Sequence, residues 1–339
     1  MKIQEFRDKM KSADRAALEK IAADLYRRLP KALKEEELDQ NIELMLKGSD
    51  APKPSPKGAI PFDKLEKEIR TFLSNVDAKY YFEPNRVVPK AQRSKWRFEV
   101  MRFLKQLDSI PSDDAHAETA AKLYLEIYNR LAFGCGYYIF PSEDPFASIL
   151  RNQSEFYSTM VARYFSTGFT DAKILDMLRA ATSTYIDRYS LYLDFETVFV
   201  RELRTRDMRE KALIIAKDEV KRIEAEELKK TKRTWQSGEY HVREKINEIC
   251  IVILGLGIAT YDEAASLDFF MKHCLEPSQE IKLYIALHSI DDFGGSPSFW
   301  LKVYEDGIRR GIKPRDKLVA EYKERKANDS VSEMGGNAK

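Results

Sequence analysis

Cysteine is scarce in this sequence: 339 residues contain only Cys135, Cys250 and Cys274, which lie far apart. An odd number of cysteines with no CxxC pair excludes a disulfide framework and the common cysteine zinc sites. Histidine pairs at zinc spacing, such as HxxxH or HExxH, are also absent. We therefore predict no metal site, no cofactor and a reducing, cytoplasmic environment.

Glycine and proline are also few, at 14 and 13 residues, which favours long regular elements over many tight turns. The longest apolar run, residues 249–259 (ICIVILGLGIA), has 11 residues and two glycines. A membrane-spanning helix needs about 20 residues. The first residues, MKIQEFRDKMKSADR, are charged throughout and do not resemble a signal peptide. These features predict a soluble, intracellular protein with no membrane partner.

An excess of charge of either sign is missing as well. Lysine and arginine number 57, aspartate and glutamate 55, and the formal net charge is +2. Such a balance gives the whole molecule no field that would attract nucleic acid or an anionic membrane. Binding to either one would have to come from a local basic patch.

Helical periodicity is what the sequence does contain. Apolar residues recur every three to four positions in several segments, and no run alternates as a strand does between turn signals. Two segments, 161–178 and 252–270, share an apolar helix end, a glycine corner and an acidic second helix. We predict an all-α fold, an array of antiparallel helical pairs that is α-solenoid-like and superhelical. Predicted helix N-caps are Ser12, Ser112, Thr170, Thr260 and Ser296.

The domain organisation follows from a change of composition at residues 48–61. This stretch, GSDAPKPSPKGAIP, has four prolines and two glycines and is typical of a linker. We predict an N-terminal helical arm at 1–47, a Pro-rich linker at 48–61, a helical-repeat-like domain at 62–326 and a disordered tail at 327–339.

The stretch ILGLGIATYDEA, residues 253–264, raises the question of a dinucleotide-binding turn. A G-x-G-x-x-G fingerprint follows a strand and needs a third glycine, but that position is Thr260 and the preceding residues continue a helical stripe. We predict a corner between two helices instead. The first helix would end at Gly255 or Gly257, and Thr260 with Glu263 would form a capping box.

Residues 82–107 carry the most unusual local charge. From residue 86 to residue 105 there is one acid, Glu99, and there are seven basic residues: Arg86, Lys90, Arg93, Lys95, Arg97, Arg102 and Lys105. A helix from about Pro89 would place Lys90, Arg93 and Arg97 on one face. Such a patch suits phosphates or an acidic partner. The alternative is a solvated helix face whose charges meet acidic neighbours.

Aromatic residues are dense at 124–164. Four tyrosines, Tyr124, Tyr128, Tyr137 and Tyr138, are candidates for a groove that takes a peptide or a small ligand. The alternative is a core in which helices cross. Cys135, in FGCGYY, is either a buried structural thiol or an exposed one.

Two stretches, YYFEPNRVVPKAQRSKWRFEVMRFLKQL (80–107) and FGCGYYIFPSEDPFASI (133–149), resemble a family of uncharacterised bacterial helical proteins, a domain of unknown function. The similarity covers roughly residues 62–180. It implies a helical fold and a bacterial source, and it transfers no catalytic residue.

No catalytic motif is recognisable, so the sequence favours a protein-binding scaffold or adaptor that offers a helical groove to another protein. One alternative is binding of nucleic acid or a phosphate ligand through residues 86–105. A second is an enzyme whose site assembles from distant residues such as Tyr138, His241 and Asp291.

Overall fold

The structure is a computed structural model that describes residue 11 and residues 13–28, 61–182, 185–229 and 238–336, with side chains as far as residue 328. Within these ranges there are 15 α-helices and no β-strand, which confirms the all-α prediction. The chain divides into two compact units, residues 1–60 and 61–339.

The first unit contains helix α1 (Arg15–Arg28) among its described residues. Asp14 precedes the helix, and its Oδ1 accepts a hydrogen bond from the amide of Ala17 at 2.7 Å. Asp14 therefore serves as the N-cap. Ser12, predicted as the cap, lies outside the described residues, as do residues 29–47 of the predicted arm and most of the Pro-rich linker.

The second unit contains fourteen of the fifteen described helices. They are α2 (Phe62–Asp77), α3 (Lys90–Arg93), α4 (Trp96–Asp108), α5 (Ala117–Gly136), α6 (Pro145–Ser148), α7 (Gln153–Ser166), α8 (Asp171–Ala181), α9 (Tyr192–Glu202), α10 (Arg206–Ile223), α11 (Gly238–Thr260), α12 (Glu263–His273), α13 (Gln279–Asp292), α14 (Pro297–Arg309) and α15 (Asp316–Gly336). A π-helical turn (Glu224–Leu228) continues α10.

The helices of the second unit pack mainly on helices close to them in the chain. α5 contacts α2, α4, α6 and α7, and α7 in turn contacts α8 and α9. α11 packs against α9, α10, α12 and α13, which makes it the central helix of the second half. Superhelical stacking of repeats, as in a solenoid, stays a prediction.

The apolar stripes predicted from periodicity form the core. Leu65, Ile69, Phe72, Leu73 and Val76 are buried on α2. On α4 the buried stripe is Trp96, Val100, Phe103, Leu104 and Leu107. The stripes meet through aromatic contacts, since Phe72 lies 5.6 Å from Phe103 between ring centroids. Burying each large apolar side chain contributes roughly 1.5–3 kcal/mol.

Side-chain caps explain several helix starts. The hydroxyl of Thr170 accepts from the amide of Lys173 at 3.3 Å, and that of Ser296 accepts from Phe299 at 3.1 Å. These two caps are confirmed. The cap predicted at Ser112 is wrong, because α5 begins only at Ala117 and no side chain caps it. A turn held by Asp114, which accepts from the amide of His116 at 2.7 Å, precedes this helix instead.

The glycine-rich stretch 253–264 is a corner between helices, as predicted, but its details differ. Gly255 and Gly257 lie inside α11, which continues to Thr260, and the residue with positive φ is Tyr261 (62°). The hydroxyl of Thr260 donates to the carbonyl of Leu256 at 2.8 Å, so the predicted capping box is wrong. The glycines serve close helix packing rather than helix termination, because a Cβ at Gly257 would lie 2.3 Å from the Cβ of Ser266.

The C-terminal helix extends further than the sequence analysis predicted. α15 runs to Gly336 and overlaps most of the segment 327–339, which was predicted to be disordered. Arg325 anchors the helix before this segment through hydrogen bonds of 2.9 and 2.7 Å to Asp291 on α13. No proline interrupts the residues that follow, so the helical pattern continues from this anchor.

Candidate functional site

The basic segment folds differently from the single helix that was predicted. α3 is a short helix of 4 residues, and α4 begins separately at Trp96. Arg93 ties the preceding loop together: its Nε donates to the carbonyl of Val88 at 3.1 Å and its Nη2 to that of Asn85 at 2.9 Å. Arg93 is therefore a structural residue, and it leaves the predicted basic face.

The remaining cations of this segment divide into two groups. Arg102 pairs with Glu68 at 2.8 Å, and the guanidinium of Arg97 lies 4.8 Å from the ring centroid of Phe98. The others are exposed and make no ion pair within the described ranges: Arg86, Lys90, Lys95 and Lys105. Four cations of the predicted patch are thus available to a ligand.

The four candidate tyrosines do not share a groove. Tyr124 and Tyr128 are fully buried, and Tyr128 packs against Phe156 with ring centroids 5.6 Å apart. These two belong to the core, because they project from the face of α5 that meets α7. Tyr137 and Tyr138 are exposed, at 47% and 63% of their surface. The groove prediction is therefore wrong for the first two residues.

Tyr138 joins the basic segment through an exposed aromatic pair. Its ring stacks on that of Phe82 with centroids 5.7 Å apart, and Phe82 is 44% exposed. Buried contacts fix both loops beneath the stack. Trp96 stacks on Phe140 at 4.2 Å, and the hydroxyl of Tyr81 donates to Glu99 at 3.0 Å. We call the exposed set the basic–aromatic surface: Phe82, Arg86, Lys90, Lys95, Arg97 and Tyr138.

A second basic cluster, at 201–209, provides a contrast. Arg204 pairs with Glu202 at 3.3 Å, and Arg206 pairs with Glu210 at 2.7 Å. Arg209 donates to the carbonyl of Leu203 at 2.8 Å. These arginines are satisfied by their own surroundings. This cluster therefore has fewer unpaired cations available to a ligand than the basic–aromatic surface has.

The residues suggested for an assembled enzyme site lie apart. Tyr138, His241 and Asp291 line three different cavities. Burial raises the pKa of Cys135 to about 12, so this half-buried thiol stays protonated and is not an activated nucleophile. Within the part of the chain that the structure describes, no group of three or more histidine, cysteine or acidic residues is arranged to hold a metal ion.

Two buried carboxyl groups meet between α9 and α11. Glu196 is 1% exposed and Glu248 is 8% exposed. Burial raises the pKa of both groups, and for Glu196 a hydrogen bond with Glu248 and the charges of Glu248 and Asp292 raise it further. Both carboxyl groups therefore keep their protons more readily than exposed glutamates do.

This pair predicts a particular dependence of stability on pH. The folded pKa of Glu196 lies above the ordinary value of 4.5, so folding is favoured while the group is protonated, and that contribution is lost as pH rises through the raised pKa. Glu196→Gln keeps a hydrogen-bond donor and cannot ionise. We expect the variant to become progressively more stable than the parent as pH rises above about 4.5.

Urea unfolding followed by circular dichroism at a series of pH values measures this difference. Glu239→Gln is the control, because Glu239 lies on α11 as Glu248 does but is half-exposed, with Arg243 at 3.6 Å. Parallel pH profiles for the parent and Glu196→Gln would contradict the raised pKa of Glu196.

Comparison with known proteins adds no relative: no family model matches the chain, and neither a curated protein nor a solved structure is significantly similar to it. The resemblance drawn from residues 80–107 and 133–149 stays an expectation. None of the helices in the described ranges has the length and apolar composition required to cross a bilayer. The fold thus defines an all-α protein, and its function must be argued from its surfaces and cavities.

Proposed function

We propose that this protein is a protein-binding scaffold that holds an acidic segment of another protein on its basic–aromatic surface. One observation carries the proposal: an exposed Phe82–Tyr138 stack belongs to a surface whose cations Arg86, Lys90 and Lys95 are exposed and have no ion-pair partner in the described residues. The sequence had suggested a basic patch and an aromatic groove separately, and the stack joins them.

The two kinds of side chain would play different parts in binding. Exposed aromatic rings that become buried are the usual anchors of a protein interface, and each costs about 2 kcal/mol or more when it is removed. Cations on the rim attract an oppositely charged partner and raise the association rate. Buried contacts hold both rings in place, so little conformational freedom is lost when a partner binds.

Charge distribution favours an acidic protein over nucleic acid. The net charge is +2, and the other described arginine cluster, at 201–209, is neutralised by its neighbours. Nucleic acid binding depends on many phosphate contacts spread along a backbone. Exposed rings beside cations also suit stacked single-stranded bases, so a nucleic acid ligand is a defined outcome of the test.

Replacement of Tyr138 by the photo-crosslinker p-benzoyl-phenylalanine tests the proposal directly. Irradiation of cells that make the protein is expected to give adducts with another protein, joined through an acidic segment. Lys90→Glu combined with Lys95→Glu is expected to reduce adduct formation about tenfold or more. Phe82→Ala is expected to do the same, because the ring beneath the crosslinker is lost.

Lys64→Glu with Lys67→Glu is the matched control, since both lysines are exposed on α2 outside the surface. Adducts that persist in the control and fall in the test variants support the scaffold. Adducts with nucleic acid, adducts unaffected by Lys90→Glu with Lys95→Glu, or no adducts at all would overturn it.

A further inference from the structure

A polar cavity of about 370 Å³ lies among α5, α8, α11 and the π-helical turn. Its charged lining comes from Asp176 and Arg179 on α8, Glu227 on the turn, and His241 and Lys245 on α11. It is separate from the basic–aromatic surface, since none of the residues of that surface lines it. The charges come from three segments that are distant in sequence.

Lys245 is the unusual member of this set. Its side chain is half-buried, and it makes no hydrogen bond or ion pair with any residue in the described part of the chain. Burial lowers the pKa of Lys245, which shows that its surroundings solvate the ammonium poorly. A poorly solvated cation that faces a cavity is stabilised by an anion that enters it.

The acids of the cavity are already engaged. Glu227 accepts from Arg222 at 2.7 Å, and one oxygen of Asp176 accepts from the hydroxyl of Tyr164 at 2.9 Å. Neither acid forms an ion pair with Lys245. The second oxygen of Asp176 still offers an acceptor, so a ligand that enters with an anionic group gains from carrying a donor as well.

Two further groups of the cavity offer hydrogen bonds to a ligand. The Nδ1 atom of His241 is buried and has no hydrogen-bond partner among the described residues. Arg179 uses Nε and one N–H of Nη2 on Glu219, at 2.9 and 3.2 Å, and keeps its other N–H groups. An unpartnered buried polar atom destabilises the folded chain, and a hydrogen bond from a ligand would relieve that cost.

We propose that this cavity binds a small molecule through a phosphate or carboxylate group, with Lys245 as its counter-ion and with His241 and Arg179 as hydrogen-bonding partners. A donor on the same molecule, such as a hydroxyl or an amine, binds the second oxygen of Asp176. Small polar metabolites of the hydroxy-acid, amino-acid and phosphate-monoester classes fit this description and the cavity volume.

Isothermal titration calorimetry on the full chain, with inorganic phosphate and with acetate as separate probes, tests the cavity. Saturable binding with one site per chain is expected for at least one probe, and the stronger probe identifies the anionic group. Lys245→Met is expected to weaken that binding about tenfold or more. The same variant is expected to melt at an equal or higher temperature, because a poorly solvated ammonium has been removed.

Lys90→Met is the control, because it removes an exposed cation of the basic–aromatic surface, and Lys245→Gln is a second variant should Lys245→Met fail to fold. Weaker binding in the Lys245 variants with normal binding in Lys90→Met supports the cavity. Absence of saturable binding for both probes, or binding that survives loss of Lys245, overturns it. Neither result bears on the scaffold proposal, whose test uses other residues.

Discussion

Glu219→Gln is expected to destabilise the unit formed by residues 61–339 by about 2–4 kcal/mol. Glu219 is buried on α10 and accepts four hydrogen bonds from two arginines. Arg179 donates to it at 2.9 and 3.2 Å, and Arg222 donates at 2.9 and 2.7 Å. Arg179 belongs to α8, so the carboxylate links two helices. A neutral amide would leave both guanidinium groups without their central counter-ion.

Breaking a buried ion pair typically costs about 3–5 kcal/mol, because an uncompensated charge remains. The side chain of Glu219 is 2% exposed, but those of Arg179 and Arg222 are 41% and 33% exposed. Water can therefore solvate the arginines in part, and Arg222 keeps its contacts with Glu226 and Glu227. The expected loss is thus at the lower end of that range.

Glu219 affects the pH dependence of stability in the opposite direction to Glu196. Burial alone would raise the pKa of Glu219, but hydrogen bonds from Arg222 and Arg179 outweigh burial and lower it to about 2 from 4.5. A lowered pKa means that the contribution is fully present above pH 4.5 and is lost as pH falls towards 2. Glu219→Gln should lose this acid-sensitive part of the unfolding free energy.

Urea unfolding at neutral and acidic pH provides the measurement. Glu226→Gln is the matched control, because Glu226 also contacts Arg222, at 3.2 Å, but is 59% exposed. We expect it to change stability by less than about 1 kcal/mol. Equal effects from the two substitutions would show that burial of Glu219 does not strengthen its contacts.

Gly257→Ala is expected to destabilise the protein by about 1–3 kcal/mol, although alanine is the better helix former by about 1 kcal/mol. The added methyl group would lie 2.2 Å from Oγ and 2.3 Å from Cβ of Ser266, and 3.0 Å from the carbonyl oxygen of Asp262. The carbonyl oxygen of Asp262 is part of the backbone, and the Cβ of Ser266 is bonded directly to the backbone of α12. Neither atom can move by itself, so α12 must move away from α11. Packing, not helix propensity, therefore decides whether Gly257→Ala stabilises or destabilises the protein.

The double variant Gly257→Ala with Ser266→Gly supplies the control. Removing the serine side chain clears the nearest obstacle, so the double variant should recover part of the loss that the two single substitutions predict when added. Thermal unfolding by circular dichroism of all four proteins closes the cycle. A stable Gly257→Ala single variant, or strict additivity in the cycle, would contradict the close-contact explanation.

The sequence alone was sufficient to predict the fold class, because helical period and burial are both local patterns. The stripes of α2 and α4 could be assigned from spacing, and Thr170 and Ser296 from cap chemistry. Gly255 and Gly257 were misread for a physical reason. A glycine that ends a helix and a glycine that admits a neighbouring side chain look alike in the sequence. The structure separates them, because a Cβ at Gly257 would meet Ser266 and one at Gly255 would meet the ring of Phe293.

The candidate sites could be predicted less completely from local sequence patterns. The excess of basic residues at 82–107 was visible, but the withdrawal of Arg93 onto backbone carbonyls depends on the path of the loop before it. Phe82 gave no signal of its own in the sequence. The cavity around Lys245 joins α5, α8, α11 and the π-helical turn, so its residues have no shared spacing that a motif search could find.

The central position of α11 bears on how this chain can be divided. Four helices pack against α11: α9 and α10, which precede it in the sequence, and α12 and α13, which follow it. A fragment that stops before residue 238 or starts after residue 260 lacks α11 and uncovers the surfaces that pack on it. We therefore expect residues 61–339 to fold as one unit, and each half alone to expose apolar surface that α11 covers in the intact chain.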